Sequence, residues 1–336
     1  MNWELLSKYR NELYGISIIW IVLFHGLKIK NTALPKLFSF LDPIIRHGNC
    51  GVEIFLFLSG VYLFFSLKKS FDIISFYLNR IKRIILPFLF IDGLFWVYHC
   101  LYLKNNVVLF IKNITLYSFW SGREMMVWYI ALILVLYIVY PLIFKALDSS
   151  KYSVILMLSM ILMTYIGCVI LKYYYPKWFF SVEIALTRIP VFLIGCYVGK
   201  LVYEKQEISM FIKLASFVFV VYGLSFFYQH PYSLVKYYRI PYLLVGPSLA
   251  IWLSVVLDTI DSKRLNSNLS IWGGLSLELY LMHIVLRKLF VSSNLYTNRV
   301  YMNYVWYFII CCCIAFVLCF FVSSINKRIL NRHSNP

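Results

Sequence analysis

The chain consists of apolar runs of about 20 residues, separated by short stretches that hold most of its Lys and Arg. Such a run is the length that crosses a bilayer's hydrocarbon core, and a backbone at that depth must satisfy its own hydrogen bonds. Helices do so segment by segment. The runs are continuous rather than alternating, which argues against the strands of a transmembrane barrel. Only 14% of the 336 residues are charged and 62% are hydrophobic, whereas soluble domains carry roughly a quarter charged. The expected fold is all-α: a polytopic integral membrane helical bundle of about ten transmembrane helices, with residues 1–336 forming a single membrane domain.

The runs fall near 12–28, 49–67, 84–103, 126–145, 152–171, 185–203, 209–228, 235–257, 270–290 and 302–325. The stretch 105–123 holds Lys112 and Arg123 and reads as a loop or an interfacial helix. A formal charge of +18 would suggest nucleic acid for a soluble protein. Here the basic residues sit between apolar runs, the pattern of loops facing lipid headgroups, so no nucleic-acid partner is expected. Tyr173, Tyr174, Tyr175 and Trp178 cluster at a run end, where amphipathic rings favour the interface. The cluster Lys68, Lys69, Arg80, Lys82 and Arg83 biases the N-terminus toward the cytoplasm. With an even number of spans both termini are then cytoplasmic, and the expected location is the inner, cytoplasmic membrane. The eight cysteines lie mostly within apolar runs without metal-ligand or disulfide spacing, so they read as packing and no metal is expected. The glycines of the spans are compatible with close internal packing or with a homo-oligomer.

Ionisable side chains at membrane depth cost a few kcal/mol each and ask for a reason. His25 ends the first run, RNELYGISIIWIVLFHG. Tyr14 lies eleven residues earlier, about 20° off the same helical face, and Arg10 is offset from His25 by about 60°. A polar stripe therefore leads from Arg10 and Tyr14 toward His25. Histidine exchanges a proton near neutral pH, as a general base requires, although an interfacial histidine bonded to a loop has the same spacing. In the second run Glu53 can orient a histidine, pair with an Arg or sit at headgroup level. Ser59 beside Gly60 reads first as close helix packing. Arg80, Lys82 and Arg83 before the third run anchor to anionic lipid or bind phosphate. Arg188 lies in a later run. Glu278 and His283 are about 140° apart around a helix and so do not form a side-by-side pair. His283 is either a substrate-side group or a satisfied core histidine.

Taken together, several stretches resemble the acyltransferase-3 family of bacterial membrane-bound O-acyltransferases. They are the Arg-rich start and His-ended helix of RNELYGISIIWIVLFHG, the G-V-(D/E)-x-F and S-G pattern in GVEIFLFLSG, and RxxR before Pro in RIKRIILP. WYIALILVLYIVYPLI, with Trp128, Tyr137 and Pro141, RIPVFLIGCYVG and SLELYLMH complete six segments in family order. The resemblance implies transfer of an acyl group, most often acetyl from acetyl-CoA, to a hydroxyl of a surface polysaccharide or lipid-linked glycan. It implies His25 as catalytic base with Glu53 assisting, and Arg80, Lys82 and Arg83 as contacts for the cofactor. Arg10, Tyr14, Ser59, Trp128, Arg188 and His283 are then substrate-side candidates. Many members carry Arg where this chain has Tyr14, and Glu where it has Ile133. The chain resembles the stand-alone type, without an appended extracytoplasmic domain. A transporter moving a glycan or acyl donor without chemistry is the alternative.

Overall fold

The computed structural model describes residues 2–27, 36–230, 239–293, 305–307, 309–314 and 316–317. In chain order the helices are α1 (Glu4–Lys8), α2 (Arg10–Gly26), α3 (Asp42–Arg46), α4 (Cys50–Lys69) and α5 (Ile73–Phe88). Helix α5 continues through a π-helical turn, the short α6 (Leu94–Trp96) and a second π segment that ends at Leu103. Then come α7 (Val107–Ile114), α8 (Tyr117–Trp120), α9 (Trp128–Ser149), α10 (Ser153–Tyr174), α11 (Pro176–Leu186) and α12 (Ile189–Tyr203). Helices α13 (Met210–Gln229), α14 (Ile240–Ile260), α15 (Lys263–Gly274) and α16 (Ser276–Ser293) complete the set. Among the described residues no strand forms beyond an isolated bridge between Asn2 and Glu207.

Among the described residues seven helical stretches are long and apolar enough to cross a bilayer, and eight if the bent pair α15–α16 counts as one. The expected ten is not confirmed by these. Helix α2 has 17 residues and opens on Arg10-Asn11-Glu12, which leaves its apolar part short for a crossing. The run 302–325 lies largely outside the described residues. Two crossings are longer than their apolar cores. The second begins at Ile73 because Asp72 caps α5 by accepting from the Ser75 backbone N–H at 3.0 Å. That places Arg80, Lys82 and Arg83 on a helix rather than in a loop. The fifth begins at Pro176 and breaks at Thr187-Arg188. The 105–123 stretch forms the short helices α7 and α8, as a loop or interfacial segment would.

Glycine sets the closest crossings. A Cβ at Gly60 would sit 2.5 Å from the Phe192 carbonyl oxygen, and one at Gly195 would collide with that of Phe57, so α4 and α12 pack backbone to backbone. Gly15 of α2 and Gly273 of α15 meet each other's helix backbone in the same way. Helix α4 is the hub: 83% of its apolar window is buried, whereas α10 is 11% buried and turns its Val, Ile and Leu side chains outward. Tyr173, Tyr174 and Tyr175 stand exposed at the end of α10. The bend of 61° between α15 and α16 falls after Gly273-Gly274 and lets α16 enter the bundle beside α2.

Candidate active site

Among the described residues, two polar-lined cavities lie inside the bundle near opposite ends of α2. Arg10 and His25 mark those ends and are about 22 Å apart along the helix at 1.5 Å per residue. The smaller cavity, about 60 Å³, is lined by Arg10, Tyr14, Ser59, Arg80, Arg83 and Tyr137 among others. Arg10 lies over the Tyr62 ring (4.2 Å) and the Tyr14 ring (5.9 Å), and Arg80 lies over Phe76 (5.5 Å) and Tyr137 (5.9 Å). The Tyr14 hydroxyl faces Ser59 Oγ at 3.5 Å. The Nε atoms of Arg10 and Arg80 are buried and lack a hydrogen-bond partner among the described residues. Three guanidinium groups surround one slot, without a carboxylate among its lining residues, and such groups can pair with an anion such as a phosphate. Lys82 is exposed and does not line the slot.

The larger cavity, about 390 Å³, is lined by His25, Arg46, His47, Trp128, Arg188 and Arg239, with Tyr242 and Tyr280 among the rest. Tyr280 lines both cavities. Its ring packs on Tyr129 (4.7 Å) and edge-on to His283 (5.3 Å), so a wall of aromatic rings parts the two spaces.

Glu53 points not to a histidine but to Arg188, whose Nε lies 2.9 Å from Glu53 Oε1, both side chains 1% exposed. The expectation that Glu53 assists His25 is therefore replaced by a buried ion pair. The cause is local: Glu53 lies in the first turn of α4 and Arg188 at the α11–α12 break. Gly246 lets α14 close over the carboxylate's Cβ, where an added Cβ would come within 2.8 Å. The Arg188 guanidinium also lies over the Trp128 ring at 4.7 Å. A second pair, Arg239 Nε to Glu183 Oε1 at 3.3 Å, braces the same wall.

The histidines are organised by groups that sequence reasoning missed. Arg287 Nη1 donates to His25 Nδ1 at 2.8 Å. His283 Nδ1 lies 2.9 Å from the Leu279 carbonyl oxygen, its ring is 4.7 Å from that of His25, and its Nε2 is buried without a partner among the described residues. Arg287 follows His283 by four residues, one helical turn, and that spacing was the available signal. His47 bridges the loop before α4 to later helices: Nε2–H donates to the His230 carbonyl oxygen (2.7 Å), and Nδ1 meets the Tyr242 hydroxyl (2.7 Å). Tyr242 also reaches Asn49 Oδ1 at 3.0 Å. His47 stacks on Phe227 at 4.3 Å, and burial holds its pKa below the ordinary histidine value. Among the described residues no group of three or more His, Cys, Asp or Glu is placed to hold a metal ion.

The apolar helices and the two polar-lined cavities between them define a multi-pass membrane protein with ionisable groups inside its bundle. A family model described as an acyltransferase domain matches residues 13–324, and the chain belongs to the acyltransferase-3 family of membrane acyltransferases. No curated protein and no solved structure is significantly similar to it.

Proposed function

We propose that this membrane acyltransferase moves an acetyl group from acetyl-CoA to a hydroxyl of a surface polysaccharide or a lipid-linked glycan. The observation that carries the reading is the pair of cavities meeting at Tyr280: three arginines line the smaller, and His25 and His47 line the larger, where Arg188 and Arg239 are already paired with glutamates. Acetyl-CoA brings its phosphates to Arg80 and Arg83, which bind them as forked, charge-assisted donors. Arg10, Tyr14 and Ser59 line the same slot, and Tyr129 and Tyr280 line it at the partition, where the thioester end would lie. A slot of about 60 Å³ matches the space of a few water molecules, in keeping with a short acyl group. The glycan hydroxyl occupies the larger cavity, whose Trp128, Tyr242 and Tyr280 rings and planar guanidinium groups suit a pyranose. Transfer takes place at the partition, and the His25–His283 pair handles the proton. In this reading the protein sits in the cytoplasmic membrane with the arginine slot toward the cytoplasm.

The reading is tested with the full chain in lipid nanodiscs, acetyl-CoA labelled in the acetyl group, and glycan isolated from the same cells. Alkali-labile label on the glycan with wild type, and its loss with Arg80→Ala/Arg83→Ala at low acetyl-CoA, is expected. Glycan movement across proteoliposomes without ester formation would replace acyl transfer with the transporter reading.

A further inference from the structure

The two histidines of the partition differ in the one property that decides proton chemistry, namely which ring nitrogen holds the hydrogen. A guanidinium has only donors, so the Arg287–His25 bond (2.8 Å) requires a lone pair on His25 Nδ1 and leaves the ring proton of the neutral imidazole on Nε2. A carbonyl oxygen only accepts, so the His283–Leu279 bond (2.9 Å) places the ring proton of His283 on Nδ1. His283 Nε2 is then a lone pair, fully buried and without a partner among the described residues. A buried acceptor left unpaired is destabilising and asks for an occupant. Its surroundings indicate which. His283 packs on His25 (4.7 Å) and on Tyr280 (5.3 Å), the ring shared by both cavities. His283 lines neither cavity itself but lies directly behind His25 and Tyr280, which do, so a hydroxyl that enters between those two rings faces its Nε2.

We infer that His283 is the general base of the acyl transfer, and that His25, fixed by Arg287, is a hydrogen-bond donor to the reacting carbonyl. The inference rests on the acyltransferase reading above. The glycan hydroxyl enters between the His25 and Tyr280 rings and gives its proton to His283 Nε2. Its oxygen forms a bond to the thioester carbonyl carbon, and the oxyanion accepts from His25 Nε2–H. The C–S bond then breaks, the ester is released, and His283 returns the proton to the CoA thiolate. Arg287 is a positioning residue that sets the tautomer of His25 without touching the reactants.

The assignment makes the two histidines respond oppositely to glutamine, whose amide N–H stands near the place of Nε2–H but cannot act as a base. In the labelled-acetyl assay, His25→Gln should fall by less than about tenfold and His25→Ala by about 10²–10³-fold, the loss of one oxyanion donor. His283→Gln should fall by about 10²–10⁴-fold, the contribution of a general base. Activity in His283→Gln near wild type, with His25→Gln as inactive as His25→Ala, would overturn the assignment and return the base to His25. A second readout is independent of turnover. Solid-state ¹⁵N NMR of histidine-labelled protein, with signals identified by their loss in His25→Gln and His283→Gln, should show non-protonated Nδ1 for His25 and non-protonated Nε2 for His283. Arg287→Met should convert the His25 signals to a tautomer mixture while leaving those of His283 in place. Protonated Nε2 on His283 would refute the proposal whatever the activity. Absence of label transfer by wild type would instead refute the acyltransferase reading, and the NMR result would still decide the tautomers.

Discussion

Removing the charge of Glu53 should unfold this protein more readily than removing almost any other single side chain. Glu53 and Arg188 are each 1% exposed and 2.9 Å apart, so neither charge has solvent to fall back on. Breaking such a pair from one side costs about 3–5 kcal/mol, because the surviving ion stays buried without compensation. At roughly 2 °C per kcal/mol, the lower end of the range for longer chains, Glu53→Gln should lower the melting temperature by about 6–10 °C. Arg188→Met should cost a similar amount. The double variant Glu53→Leu/Arg188→Met leaves no orphan charge and should recover most of the loss, since well-packed apolar replacements of buried pairs are close to neutral. The assay is thermal unfolding in detergent, followed by loss of the monodisperse peak, for wild type, both single variants and the double. The coupling energy from that cycle should be at least about 2 kcal/mol in favour of the pair. A shift below 2 °C for Glu53→Gln, or a double variant as unstable as the sum of the singles, would refute the reasoning.

Three further outcomes follow from the geometry. Arg80→Ala and Arg83→Ala should each raise KM for acetyl-CoA about tenfold or more, the loss of hydrogen bonds to a charged group. Lys82→Ala, outside the slot, should stay within about twofold, as surface substitutions do. Because His47 has a pKa held below the ordinary value, its neutral form contributes stability that is complete above about pH 6.5 and is lost as pH falls below it. The detergent melting temperature should therefore drop between pH 7 and pH 5 in wild type, and the slope should flatten in His47→Gln. Gly195→Val should destabilise by more than the ~1–3 kcal/mol of ordinary overpacking, since its Cβ meets the backbone of Phe57 rather than a yielding side chain. Membrane yield at 37 °C against 20 °C reads that loss.

What the sequence made legible is what local chemistry determines. Length and apolarity mark the crossings from α4 to α14, because spanning lipid constrains each run by itself. The stripe from Arg10 through Tyr14 to His25 lies on one helix, so its spacing could be read directly. The partners of those residues could not. Glu53 finds Arg188, His25 finds Arg287 and His47 finds Tyr242 across long sequence separations, and only the crossing of helices decides such meetings. The early start of α5 was legible in principle from Asp72 and Ser75, but the polar face of 73–83 hid it from a reading based on apolar runs. Such a reading also takes 270–290 as one straight run, whereas the chain bends by 61° just after Gly273-Gly274, which sets the direction in which His283 faces. Lys82 was grouped with Arg80 and Arg83 by proximity in sequence. One residue of helix is a turn of about 100°, enough to take it out of the slot.

A bundle hollowed from both ends has an electrical consequence. Insulation across a membrane depends on the thickness of low-dielectric material, and where the two hollows approach each other that thickness is set by the Tyr280 ring and its aromatic neighbours. A smaller residue at position 280 would join the hollows into one wet passage. Such a passage would conduct protons and small ions, a cost unrelated to any lost chemistry. Tyr280 thus serves as a plug as well as a wall, and the size of its side chain is constrained by conductance independently of turnover.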